Sequence, residues 1–341
     1  MPIFLLFSLL LILLSVGLSC TKKTTNYKRL RYSIIIPCRN EEENLSTLFA
    51  SLNTLDYPYE LYEIILVDDA SSDQTGILIS EFCEDKANRH MVSITKKSDD
   101  FKGKKYALKK GIERAKYSNL LFTDADCIVP EDWLEVYNWF VENDTGMVVG
   151  YSPEVNVSSF RRFTQILTAD FYCATINLGF PFSNNGRNLY INKEAYIEVG
   201  GFEKIKNFKC GEDKLLLNLI KKTDYKIKYN PQCKVFTNPQ IDDHINQQKR
   251  RYGQFSLSSP LYKFLSVMIF IFYLYVPIHL MIVQEWISPI IYYASFLIFW
   301  MCGLLVHKEK MYISDLIYIV LYPYYLIYYS ILGLFGKWTW K

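Results

Sequence analysis

The sequence predicts an α/β domain with a mostly parallel sheet, followed by transmembrane helices at its C-terminal end. Three observations predict it. Between Arg31 and about Pro239, short β-rich runs alternate with helical stretches, the pattern of strands joined by crossover helices. The acidic and amide residues of this region gather directly after the apolar runs. Beyond it lie three apolar stretches of membrane-crossing length.

Length and composition narrow the function. A chain of 341 residues holds one substantial α/β core plus membrane segments, because single cores usually stop growing near about 250 to 300 residues. The formal charge of +3 is the difference of 38 basic and 35 acidic residues, so no nucleic-acid partner is expected. The eight cysteines are scattered, without a CxxC pair or Cys/His zinc spacing, and read as reduced thiols.

The first element is Met1 to Cys20, uncharged but without the basic start of a cleaved signal peptide. It is expected to be an uncleaved signal anchor, although Gly17-Leu18-Ser19-Cys20 resembles a lipoprotein cleavage site with Gly17 in place of the usual aliphatic residue. Residues 31 to 240 form the α/β domain, in which Ser33 to Pro37, Ile64 to Val67 and Leu120 to Thr123 are buried-strand candidates. In open α/β sheets the ligand binds beyond the carboxyl ends of the strands, where the polar clusters fall. Residues 241 to 263, with a basic run and several aromatics, read as an amphipathic connector at the membrane interface. Within residues 264 to 335, Phe264 to Val283, Ile287 to Val306 and Leu316 to Phe335 follow, each about 30 Å long as a helix, with His279 their one basic or acidic residue.

Basic residues orient the spans. Lys22, Lys23, Lys28, Arg29 and Arg31 follow the first; Lys249, Arg250, Arg251 and Lys263 precede the second; His307, Lys308 and Lys310 follow the third. With four spans all three clusters lie on one side, and the positive-inside rule makes that side cytoplasmic. The expectation is a multi-pass inner-membrane protein whose polar domain faces the cytosol, although Lys337 and Lys341 run against it and leave a re-entrant last segment open.

Five clusters carry chemistry. In Ile35-Ile36-Pro37-Cys38-Arg39-Asn40-Glu41 a strand ends at a proline and turns polar groups outward. In Leu66-Val67-Asp68-Asp69-Ala70-Ser71-Ser72-Asp73 two acids leave a strand before a run of helix-capping residues; capping explains the later ones, and a strand-end carboxylate can accept from a base N–H or a ribose hydroxyl. Asp124 and Asp126 emerge at i and i+2 from the apolar run Leu120-Leu121-Phe122, a spacing that suits Mg²⁺ or Mn²⁺, though a polar turn would look the same. Glu212 and Asp213 open an amphipathic helix, where acids are favourable without any catalytic role. Gln247-Gln248-Lys249-Arg250-Arg251-Tyr252 precedes the next span; it satisfies the positive-inside rule and could also grip a diphosphate.

In order and spacing, these clusters resemble family 2 glycosyltransferases with the GT-A fold, over roughly Ser33 to Gly253. The resemblance implies a nucleotide-diphospho-sugar transferase domain with a Rossmann-like mixed sheet. It implies that Pro37, Asn40, Glu41, Asp68, Asp69 and Asp124 bind the nucleotide sugar, with Lys104 of Gly103-Lys104-Lys105-Tyr106-Ala107-Leu108 near the donor. It further implies Asp126 as ligand of a divalent Mg or Mn cofactor and Asp213 as the base. Glu212, Gln248, Arg251 and Tyr252 would lie toward the acceptor or diphosphate, with Tyr252 where QxxRW synthases carry tryptophan. Gly186-Arg187-Asn188 and Gly200-Gly201-Phe202 are similar to the family's acceptor-pocket floor.

The implied activity is membrane-bound, inverting transfer from a sugar nucleotide to a lipid-linked or glycan acceptor in cell-envelope polysaccharide or glycolipid synthesis. A processive polysaccharide synthase is the nearest alternative. A non-catalytic membrane scaffold with a degenerate nucleotide-sugar domain would be expected to lose one of Asp69, Asp126 and Asp213, and a metal-dependent phosphohydrolase would need more metal ligands than four histidines supply here.

Overall fold

The computed structural model describes residues 2–21, 23–25, 27–96, 98, 100–208, 210–238 and 260–335. Two compact units divide the chain: residues 21–155 with 183–238, and residues 1–20 with 156–182 and 239–341.

The first unit is built on a seven-stranded sheet. Its strands are β1 (Tyr32–Cys38), β2 (Tyr62–Asp69), β3 (Arg89–Ile94), β4 (Asn119–Phe122), β6 (Thr145–Tyr151), β7 (Leu189–Asn192) and β8 (Lys226–Lys234), in the order β3-β2-β1-β4-β7-β6-β8. The three strands expected from apolar runs are β1, β2 and β4. β1 is buried along nearly its whole length, as a strand covered on both faces must be. Pro37 pairs with Val67 of β2 beyond the last residue paired with β4, so its missing N–H falls where the central ladder has already opened.

Side chains alternate across β1. Ile34 and Ile36 join a cluster with Leu45 and Leu48 of α2 (Glu42–Asn53), Ile79 of α3 (Thr75–Glu84) and Trp133 and Tyr137 of α5 (Trp133–Tyr137). Ile35 points the other way, to α4 (Lys105–Arg114), where a Cβ on Gly111 would press into the side chains of Ile35 and Val67. Each aliphatic side chain so buried contributes about 1.5 to 3 kcal/mol. Gly111 lets α4 sit close on the sheet, which fixes its N-terminal end, with Lys104, over the strand ends.

The sheet departs from a wholly parallel one at β7, which runs antiparallel to both β4 and β6. The reversal matters to the site. Leu189, the first residue of β7, pairs with Phe122, the last of β4, so residues 183–188 sit at the carboxyl edge beside the segment that follows β4. That segment is held on its other side by a two-stranded ribbon, β5 (Cys127–Ile128) against β9 (Phe236–Thr237).

Among the described residues, the second unit contains four helices long and apolar enough to cross a membrane: Pro2–Ser19, Lys263–Val283, Ile287–His307 and Ile313–Leu332. Pro2–Ser19 is α1, whose Phe4 is buried among Phe272, His279 and Tyr292. A fifth helix, α6 (Ser159–Asn177), lies inside the span expected to be wholly transferase domain yet belongs to this unit and packs against Pro2–Ser19, Ile287–His307 and Ile313–Leu332. It gathers three helix ends. Asn177 Nδ2 donates to Gly17 O (3.0 Å), Asp170 Oδ1 lies 2.9 Å from His307 Nδ1, and Arg162 Nη2 donates to both Asp315 carboxylate oxygens (3.1 and 3.0 Å). The expected connector at 241–263 lies almost wholly outside the described residues.

Candidate active site

The first two strands end in turns that lock together. Asn40 and Ala70 both adopt left-handed backbone, with φ of 52° and 56°. Asparagine tolerates this conformation, whereas alanine holds it only where surrounding contacts over-determine it. Here Ser71 Oγ accepts from Asn40 N (3.1 Å), Asn40 Oδ1 from Ser72 N (2.9 Å), Thr75 Oγ1 from Glu41 N (2.8 Å) and Glu42 Oε2 from Gln74 N (2.9 Å). One polar rim results along the ends of β1 and β2.

The adjacent acids on that rim differ. Asp68 Oδ1 accepts from Ser71 N at 3.0 Å, and its Oδ2 stands against Gly76 of α3, so its carboxylate closes the turn. Asp69 is buried, and burial raises its carboxyl above the usual range while Arg39 pulls it back in part. Glu41 is half-buried and accepts from Asn44 Nδ2 (2.7 Å). Its carboxyl is raised by burial and further by Asp126 and Asp124, which brings the turn after β1 within electrostatic reach of the pair after β4.

Asp124 and Asp126 flank a buried Ala125 and are themselves half-buried. Lys104 Nζ donates to Asp124 Oδ1 at 2.6 Å and lies 3.6 Å from Glu212 Oε1. Burial alone would push the Lys104 ammonium down and the Asp124 carboxyl up; their contact outweighs it, so the ammonium is raised and the carboxyl lowered. Asp126 is raised, first by burial and then by Asp124, with Arg187 and Lys104 offsetting part. Its backbone carbonyl accepts from Thr237 Oγ1 (3.3 Å), which ties it to the ribbon. Such a raised, crowded carboxylate is what a cation relieves. Mg²⁺ and Mn²⁺ commonly use one or two carboxylates and complete their shell with water and substrate phosphates, so this pair fits, although no cluster of three His, Cys, Asp or Glu is found among the described residues.

Asp213 stands in the first turn of α7 (Glu212–Ile220), preceded by Gly211 in left-handed backbone. Its carboxyl is pushed up to about 6 by burial and by Glu212, against the Lys214 N–H and Lys104, which lower it. The loop before β7 walls this residue. A Cβ on Gly186 would lie 3.6 Å from Asp213 Oδ2, and Asn184 Nδ2 donates to the Asp213 carbonyl at 3.2 Å. From the same loop Arg187 Nη1 lies 3.6 Å from Glu154 Oε1, and its charge lowers both Asp124 and Asp126.

The structure thus brings together Glu41, Lys104, Asp124, Asp126, Glu212 and Asp213, with Pro37, Asn40, Asp68 and Asp69 on the adjoining rim. Asn188 lies in the core: its Oδ1 accepts from Trp133 Nε1 (3.0 Å) and Tyr137 OH (2.8 Å), and its Nδ2 donates to the carbonyls of Tyr151 (3.0 Å) and Cys233 (3.1 Å). Gln248, Arg251 and Tyr252 lie outside the described residues. No local motif marks Asn184 or Glu154: the loop before the reversed β7 brings Asn184 to Asp213 and Arg187 to Glu154.

Two family models match the chain: Glycosyl transferase family 2 over residues 33–202, and Glycosyl transferase family group 2 over residues 120–335. The probable glycosyltransferase YdaM of Bacillus subtilis is 29% identical over 216 residues, covering 60% of this chain and 50% of YdaM. A poly-β-1,6-N-acetyl-D-glucosamine synthase of Staphylococcus epidermidis is 34% identical over 108 residues, 29% of this chain and 23% of the synthase. The chain therefore spans half or less of the length of these two relatives. Among solved structures, the mannosyltransferase PcManGT of Pyrobaculum calidifontis, in complex with GDP-Man and Mn²⁺, superposes with a TM-score of 0.63 at 18% identity, covering 98% of this chain and 96% of that one. At that identity the likeness establishes the GT-A-type fold.

Proposed function

Because the chain belongs to glycosyltransferase family 2, we propose that it is a membrane-bound, metal-dependent, inverting transferase that moves a sugar from a nucleoside-diphosphate donor to a lipid-linked or glycan acceptor of the cell envelope. The observation that supports this reading is Lys104, whose ammonium contacts both Asp124 and Glu212, as expected if the acids assigned to the donor and to the base belong to one charged cluster.

The nucleoside lies along the rim of Pro37, Asn40 and Glu41, with Asp69 accepting from its base or ribose. Asp126, with Asp124 beside it, would hold a divalent cation, which would supply charge neutralisation for the departing diphosphate. Lys104 and Arg187 add positive charge on the same side. Asp213 accepts the proton of the acceptor hydroxyl; the oxygen bonds to the anomeric carbon as the carbon–diphosphate bond breaks. One displacement of this kind inverts the configuration. General-base assistance contributes roughly 10² to 10⁴-fold, so positioning and charge stabilisation supply the greater part.

α6 supports the proposed topology, since it holds the C-terminal ends of α1 and of Ile287–His307 and the start of the next helix together, the three ends that the basic residues assign to the cytosol. The transferase reading is tested by incubating purified protein with a panel of UDP-, GDP- and dTDP-sugars with Mn²⁺ and assaying nucleoside diphosphate. Release from one donor class, abolished by EDTA, is the expected result. Absence of binding and release across the panel would overturn the reading.

A further inference from the structure

Among the described residues, Lys105 is the lysine with 0% exposure. It follows Lys104 at the first position of α4, yet its partners differ. Lys104 reaches carboxylates, whereas Lys105 Nζ donates to two backbone carbonyls, those of Lys102 (2.9 Å) and Phe208 (2.5 Å). Lysine is almost never fully buried without partners, because its ammonium must leave water. An apolar side chain would fill the same space, so packing alone does not account for the charged end.

The two carbonyls belong to segments far apart in the chain. Lys102 leads into α4, which Gly111 seats on Ile35 and Val67 of the sheet. Phe208 leads into Cys210-Gly211, the turn from which Glu212 and Asp213 open α7. Lys102 N also donates to Lys206 O at 3.0 Å, and the Lys206 and Lys109 ammoniums lie 5.9 and 6.0 Å from the Phe101 ring. Those two ammoniums are partly open to solvent and screened, and the Lys105 contact is neither. Burial lowers the Lys105 ammonium; Glu212, Cys210 and Asp213 offset part of that, and Lys104 adds to it. Lys105 thus stands within electrostatic reach of Asp213.

Resting on the transferase reading, with Asp213 as its base, we propose that Lys105 is a positioning residue for Asp213, holding the loop ahead of α7 against the start of α4 and so fixing where Asp213 stands relative to Lys104. Enclosed as it is, Lys105 meets no substrate and acts through the acid it places. The test uses the full chain in detergent with Mn²⁺, the sugar nucleotide selected from the UDP, GDP and dTDP panel, and long-chain alkyl glycosides and polyprenyl phosphate as acceptors. Lys105→Met keeps the length of the side chain and removes its charge and its donors. Donor affinity should stay within about 3-fold of the parent's while single-turnover transfer falls on the order of 10-fold, as a displaced base requires. The acid limb of kcat/KM should move to higher pH, because Asp213 loses a nearby cation and its carboxyl rises further. In the Asp213→Asn background the same substitution should lower transfer by less than about 2-fold, since the group it places is already gone. If Lys105→Met does not fold, Lys105→Gln, which keeps an uncharged donor, carries the same measurements. A full loss repeated in the Asp213→Asn background, or a folded variant with parental transfer and an unmoved limb, would overturn the proposal and leave Lys105 a purely structural link. Failure of the parent chain to bind any sugar nucleotide is a distinct result, which would remove the transferase reading and the proposal with it.

Discussion

Asp213 in the transferase unit and Asp170 in the apolar unit carry the same perturbation in different company. Burial pushes both carboxyls up to about 6. Asp213 remains partly open, with Glu212 raising it and Lys104 lowering it across a site that a substrate can enter. Asp170 is sealed at 0% exposure against His307, also at 0%, and a Cβ on Gly303 would overlap its carboxylate. A buried acid whose proton can exchange with a ligand can act as a base; one closed in against a single imidazole can hold helices together. The pKa shift alone does not separate the two, and the neighbours do.

The largest effect that sharpens this contrast is expected beside Asp213. Asp126→Asn keeps the shape of the side chain and removes the charge that, on the proposed mechanism, would hold the cation, so transfer should vanish and Mn²⁺ binding measured by calorimetry should be lost, while the thermal midpoint stays near that of the parent. Metal binding of parental strength in this variant would move the cation site elsewhere.

In the apolar unit the expected losses are of stability. Removing one partner of a buried polar contact leaves the other unsatisfied, at a cost of about 1 to 3 kcal/mol. Asp170→Ala should therefore lower the unfolding midpoint in detergent, with turnover per folded molecule unchanged. Gly303→Ala overfills the same contact and should cost about 1 to 3 kcal/mol. Normal stability in both variants would mean that the Asp170–His307 contact does not hold α6 to its neighbours.

The smallest effect is a displaced pH limb. Asp213 accepts a proton only when ionised, so with its carboxyl pushed up to about 6, transfer should fall as pH drops below that value. An unperturbed aspartate would hold activity to about pH 4. The acid limb of kcat/KM is the measurement, and a limb near 4 would show that Asp213 is not the titrating base.

The contrast also explains what the sequence disclosed. β1, β2 and β4 are continuous apolar runs with polar residues at their ends, so the strands and the acids after them could be read locally. Glu212 and Asp213 were legible as acids opening a helix. Asp68 looked equivalent to Asp69 because the turn that occupies its carboxylate depends on Ala70 in left-handed backbone, which alanine does not advertise. The reversed β7, four residues long, set by pairing with β4 and β6, hid Asn184 and its neighbours. α6 was hidden for the same reason: its partners Gly17, His307 and Asp315 are all more than 130 residues away in the chain.

The central claim is that Asp213 performs chemistry and does not organise the donor. Its most direct test is Asp213→Asn, with sugar-nucleotide affinity and single-turnover transfer measured separately on the same preparation. The account predicts parental donor affinity and transfer lowered by at least about two orders of magnitude. Donor affinity that collapses, with residual transfer falling only in proportion, would contradict it.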